Sequence, residues 1–119
     1  MSFLLNALSK YWLPASLMML AVISIFSLIP LPVLPEVPGN DKTHHLVSYA
    51  LVVLPIVLRK PRYWLLFVFA IAVWSGVIEL IQPFVNRYGE WLDLLANIVG
   101  LILGMSFALL LRCWVDRQV

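Results

Sequence analysis

Residues 92–111 read LDLLANIVGLILGMSFALLL, twenty positions whose one charged side chain, Asp93, stands next to the start. Twenty helical residues at 1.5 Å each span about 30 Å, the thickness of a bilayer's hydrocarbon core. Within this run Asp93, Asn97, Gly100 and Gly104 recur at helical spacing, so one face carries polar groups first and glycines after them. The rest of the run is apolar apart from Ser106, mostly Leu with Ile, Val, Ala, Met and Phe. Such a helix suits lipid on most sides and one close helical neighbour on the remaining face.

Three further apolar stretches precede it. Tyr63 to Ile81 is the third, and Pro83 disfavours helical geometry at Gln82. Asp41 to Leu58 is the second, with Pro55 inside it; Pro55 leaves the Leu51 carbonyl without its helical partner and predicts a kink. Trp12 to Ile29 is the first, interrupted by Pro14 and serines. Pro30, Pro32, Pro35, Pro38 and Gly39 then impose an extended loop. The expected fold is an all-α membrane protein, a bundle of four transmembrane helices near 11–30, 42–59, 63–82 and 92–112. The chain reads as one domain over 1–119, with no repeat or second unit.

Composition supports lipid as the solvent. Of 119 residues 63% are hydrophobic and 12% charged, and the mean hydropathy is +0.99. That leaves too few polar residues to cover a soluble domain. The net charge of +2 sits in loops and gives no reason to invoke nucleic acid. Cys113 is the single cysteine, so no intrachain disulfide is available. The N-terminal apolar run is too long for a cleavable leader and lacks a small-x-small site before a polar segment, so it reads as a retained helix.

Lysine and arginine set the expected orientation. With four spans and the N-terminus inside, the inner segments hold Lys10, Arg59, Lys60, Arg62, Arg112 and Arg117; the outer loops hold Lys42 and Arg87. Positive charge stays on the cytoplasmic side, so both termini are expected there. Tyr11, Trp12, Tyr63, Trp64 and Trp114 then fall at the inner interface, where amphipathic rings prefer to sit.

On this topology the polar residues gather in the outer half of the bilayer. Asp41, His45 and Tyr49 share one face of the second helix, and Lys42 neighbours them. Ser75, Glu79 and Gln82 share a face of the third, and Asp93 and Asn97 a face of the fourth. Unpaired charge in hydrocarbon costs roughly 2.5–3.5 kcal/mol even on insertion scales, so the stripes are expected to meet in one outward-facing pocket, with Arg87 from the outer loop. The small ridge Ala96, Gly100, Gly104 and Ala108 allows the close contact this requires.

Asp41-Lys42-x-x-His45-x-x-x-Tyr49, then Glu79-x-x-Gln82, then Arg87, Asp93, Asn97 and Gly100 resemble the VanZ-like family of bacterial membrane proteins, over residues 41 to 104. The family is named for a teicoplanin-resistance protein. The resemblance implies a polytopic protein of the bacterial cytoplasmic membrane, with some members linked to glycopeptide resistance; it implies no established reaction.

Two classes of function follow from the residues. Lys42, His45 and Arg87 beside carboxylates and amides make a cradle for an anionic or sugar-bearing headgroup on a lipid-like or lipid-linked envelope molecule. Alternatively, His45 with Asp41 or Glu79 forms an acid–base pair in a small membrane-embedded hydrolase or transferase. A purely structural or accessory subunit, paired with itself or another membrane protein, is the plain alternative: Asp41 then caps a helix, Glu79 pairs with Arg87 or Lys42, and Asn97 makes an interhelical hydrogen bond. A channel or transporter role is disfavoured by an inner half with no polar path. No cofactor is expected. Asp41, His45 and Glu79 or Asp93 offer mixed nitrogen and oxygen donors, but Lys42 and Arg87 would repel a cation and no compact metal motif is present, so no metal is expected either.

Overall fold

The computed structural model describes residues 2–29, 41–85 and 91–118. These residues form five α-helices: α1 (Ser2–Lys10), α2 (Trp12–Leu28), α3 (Asp41–Arg59), α4 (Trp64–Ile81) and α5 (Trp91–Gln118). A 3-10 turn, Gln82–Val85, follows α4. No strand occurs among the described residues. Among the described residues the fold is all-helical, and α4 and α5 are each long and apolar enough to cross a membrane. The α1–α2 pair is a third candidate if its two helices act as one bent span.

The N-terminal segment departs from the expectation of one retained helix. α1 and α2 meet at a bend of 81°. Pro14 explains the break: it has no N–H for the Lys10 carbonyl, and its ring would clash with that carbonyl in a continuous helix. Three residues into α2, where amide hydrogens lack intrahelical acceptors anyway, the proline is tolerated. α1 lays Leu5 and Leu8 against the core and leaves Phe3 and Leu4 exposed.

α3 is the central helix. It packs against α5 most extensively and also touches α1, α2 and α4. Tyr49, Val52, Val53, Ile56, Val57 and Leu58 are all buried. α3 remains one helix through Pro55, which is itself buried. It closes at Lys60, whose φ of 52° turns the chain left-handed while its N–H still donates to the Ile56 carbonyl at 2.8 Å. The polar first turns of α3 lower its hydropathy.

Burial is inverted relative to a water-soluble protein. Phe69, Leu80, Ile102, Phe107 and Leu110 are exposed, whereas Ser16, Ser27, Ser75, Gln82, Asp93 and Asn97 are buried. That is the pattern of a bundle solvated by lipid, in which apolar side chains lose nothing by facing outward and polar ones must find partners inside.

α3 and α5 run parallel, and their crossing is set by glycine. A Cβ built on Gly100 would lie 3.0 Å from Leu46 Cα and collide with the Leu46 carbonyl oxygen. One built on Gly104 would lie 2.7 Å from Ala50 Cα and collide with the Ala50 carbonyl oxygen. The backbones therefore touch along this face, and Ala108 continues it, fully buried. Since Asp93 and Asn97 lie on the same face, this contact carries them onto the start of α3.

Candidate functional site

The polar residues of α3, α4 and α5 gather at the end of the bundle where α3 and α5 begin and α4 ends. Lys42 Nζ lies 3.3 Å from Asp93 Oδ1. One turn further in, His45 Nδ1 lies 2.9 Å from Asn97 Oδ1. With the amide oxygen as acceptor, Nδ1 carries the hydrogen and donates it. The other ring nitrogen, Nε2, lies 4.0 Å from Asp93 Oδ2. Asp93 is thus shared, one oxygen toward the ammonium and one toward the imidazole. Glu79 of α4 completes the group: a ligand atom from each of His45, Glu79 and Asp93 lies within 4.8 Å of the others.

Exposure grades inward across this cluster. The Lys42 side chain is 40% exposed and those of His45 and Asp93 are 15% and 11%. Asn97 and Tyr49 are buried. Lys42 therefore sits at the mouth, where a charge costs least, with Asn97 and Tyr49 behind it; the carboxylates of Asp93 and Glu79 lie further in, with Glu79 Oε1 fully buried.

The other sequence candidates fall elsewhere. Gln82 is buried, and its Nε2 donates to the Ser27 carbonyl at 3.1 Å, tying α4 to α2 instead of to His45. Its Oε1 is buried without a hydrogen-bond partner among the described residues. Ser75 Oγ donates to the Ala72 carbonyl of its own helix at 2.8 Å. Asp41 begins α3, but its side chain lies outside the described residues, as does the whole of Arg87.

The serines of α2, which in the sequence stand only as interruptions of an apolar run, are polar ties between helices. Ser16 Oγ donates to the Val52 carbonyl at 2.9 Å, and Ser24 Oγ accepts from Trp74 Nε1 at 2.9 Å. Their spacing carries the signal: positions 16, 24 and 27 fall on one helical face. Beside them, toward the opposite end of the bundle, a cavity of about 270 Å³ is lined by Trp12, Leu17, Leu20, Ile56, Phe67 and Trp74 among others. It is apolar and separate from the His45 cluster.

That opposite end carries several cations. Lys10 stacks over the Tyr11 ring at 5.3 Å, Lys60 over Trp64 at 5.9 Å and Arg62 over Tyr63 at 5.2 Å. Arg112 donates to the Leu58 carbonyl. The edge-on contact of Trp12 with Phe67, at 5.2 Å between centroids, places the starts of α2 and α4 together there.

No curated protein and no solved structure matches the chain. The family model described as VanZ/LLP1 matches residues 1–112, which takes in all four apolar stretches as well as the polar segment 41–104. With a match over nearly its whole length, and with helices able to cross a membrane, this chain belongs to the VanZ-like family of membrane proteins.

Proposed function

We propose that the protein crosses the bacterial cytoplasmic membrane four times, with both termini in the cytoplasm, and that its outer polar cluster recognises a lipid-like or lipid-linked molecule with an anionic or sugar-bearing headgroup. α3 is the fourth span in this reading. Its 19 residues reach about 28 Å, and its polar first turns are sheltered by α5. The parallel pairs α3 with α5 and α2 with α4 suit an alternating path. The cations stacked on aromatic rings at one end suit the inner interface.

The observation that carries the recognition reading is the half-exposed Lys42 ammonium over part-buried His45 and buried Asp93 and Asn97. A cation at the mouth attracts an anionic headgroup. Carboxylate, imidazole and amide behind it match hydroxyls, and the apolar exterior accommodates a tail. Lipid-linked cell-wall precursors and lipid-tailed glycopeptides both have this build, which relates the proposal to resistance. Arg87 is proposed as a second cation of the same site, Tyr49 as its floor, and Asp41 and Gln82 as flanking groups.

A second reading, a membrane-embedded hydrolase or transferase, rests on the imidazole held between Asn97 and Asp93. The test for both is lipid and small-molecule mass analysis of purified wild-type protein and His45→Ala. An anionic or glycosylated lipid retained by the wild type and lost in the variant is expected. The same lipids on both would sink the recognition reading; conversion of the retained lipid over time by the wild type alone would establish the second.

A further inference from the structure

We propose that His45, Glu79 and Asp93 form a binding site for a divalent transition-metal cation of the zinc type, with Asn97 and Lys42 as the groups that orient its ligands. The site shares Lys42, His45, Asp93 and Asn97 with the proposed headgroup site but does not rest on that reading, since its metal content is measured with no lipid supplied.

Three different helices supply the donors, and their ligand atoms already lie within 4.8 Å of one another. A cation about 2.1 Å from each donor would set them about 3.4 Å apart, so binding requires a contraction of about an ångström.

The imidazole is the decisive group. Its Nδ1–H donates to the Asn97 amide oxygen at 2.9 Å. In that tautomer the lone pair lies on Nε2, the nitrogen on the Asp93 side, 4.0 Å from Oδ2. Metal-bound histidines characteristically donate their second ring N–H to a carbonyl or carboxylate, which fixes the tautomer and aims the lone pair at the metal. Asn97, itself 2% exposed, does this here.

By sequence position alone Lys42 and Arg87 oppose a cation, and Arg87 lies outside the described residues. In the fold the Lys42 ammonium engages Asp93 Oδ1, so the other oxygen remains turned toward His45. Its side chain is 40% exposed, which leaves its charge partly screened by solvent. One nitrogen and two carboxylate donors suit zinc better than calcium or magnesium, which favour all-oxygen sets. Three protein ligands leave a coordination position open for water or a ligand oxygen.

The experiment uses full-length protein in detergent, stripped with a chelator and dialysed against Zn²⁺ alone. Bound metal is measured by mass spectrometry, and the Co²⁺ derivative by its visible spectrum. About one equivalent of zinc per chain is expected for the wild type and for His44→Ala, with Co²⁺ bands of a low-coordinate nitrogen–oxygen site. Affinity should fall at least tenfold in Glu79→Gln and in His45→Ala, and roughly 10- to 100-fold in Asn97→Ala. Glu79→Gln keeps the side chain's shape, and gel filtration checks its fold. A wild type that retains less than a tenth of an equivalent overturns the proposal. So does zinc that survives Glu79→Gln and His45→Ala undiminished but leaves with His44→Ala.

Discussion

His45 of α3 and Asn97 of α5 face each other at 2.9 Å, a contact between residues 52 positions apart. It lies one turn inside the Lys42–Asp93 pair and one turn outside the point where Gly100 meets the Leu46 backbone. The polar contact and the glycine contact are consecutive parts of one helix–helix face. Close approach brings the amide within reach of the imidazole, and the hydrogen bond fixes the register of that approach.

Asn97→Leu should therefore lower stability in detergent by about 1–3 kcal/mol, because the His45 N–H is left buried without an acceptor. The double variant His45→Leu/Asn97→Leu should recover part of that loss, since removing both partners leaves nothing unsatisfied. Thermal unfolding of the two variants checks this. Equal losses in single and double variants would mean that the pair is not coupled.

Lys42→Met separates recognition from scaffold. The ammonium is 40% exposed but Asp93 opposite it is 11% exposed, and removing one partner of a part-buried polar pair costs about 1–3 kcal/mol. Stability should fall by no more than that, while retention of the anionic lipid by the purified protein should drop. A loss of stability well beyond this range, with lipid retention unchanged, would show that Lys42 holds the bundle together and nothing else.

Gly100→Leu and Gly104→Leu should each weaken the bundle by about 1–3 kcal/mol, and more if the backbone cannot yield. A branched side chain has no room against the carbonyls of Leu46 and Ala50. Because the same face carries Asn97, Gly100→Leu should also perturb the His45 ring resonances by NMR. At Gly76 a Cβ would meet no atom within 4 Å, so Gly76→Ala is the control and should be neutral or slightly stabilising. Unchanged unfolding in both leucine variants would contradict the α3–α5 crossing.

Orientation is tested with single cysteines in a Cys113→Ser background. A cysteine at Gly39 should react with an impermeant reagent added outside intact cells, and one at Lys60 should not. The reverse pattern would invert the topology and turn the His45 cluster toward the cytoplasm, where a periplasmic headgroup could not reach it.

Much of the helical layout is legible in the sequence because it depends on local rules. Apolar runs ended by Pro30, Pro61 and Pro83 state where chain can and cannot remain helical in lipid. The spacing of His45 and Tyr49, or of Asp93, Asn97, Gly100 and Gly104, states which side chains share a face, since 3.6 residues per turn leaves no choice. Pro14 is equally local, and its consequence, the bend that separates α1 from α2, follows from the same missing amide.

What periodicity cannot state is which face meets which, because that is settled by contacts between distant segments. Gln82 shares a face with Glu79, yet it reaches Ser27 of α2, since the end of α4 lies between two neighbours. Ser16 and Ser24 are gaps in an apolar run until Val52 and Trp74 stand opposite them. Lys42 follows Asp41 in the sequence, yet its ammonium meets Asp93 of α5, 51 positions away. The sequence by itself determined an apolar helical membrane protein with polar stripes. Only the tertiary structure decided that Gly100 and Gly104 press α5 onto α3, the close approach that places His45, Asp93 and Asn97 within a few ångströms of one another.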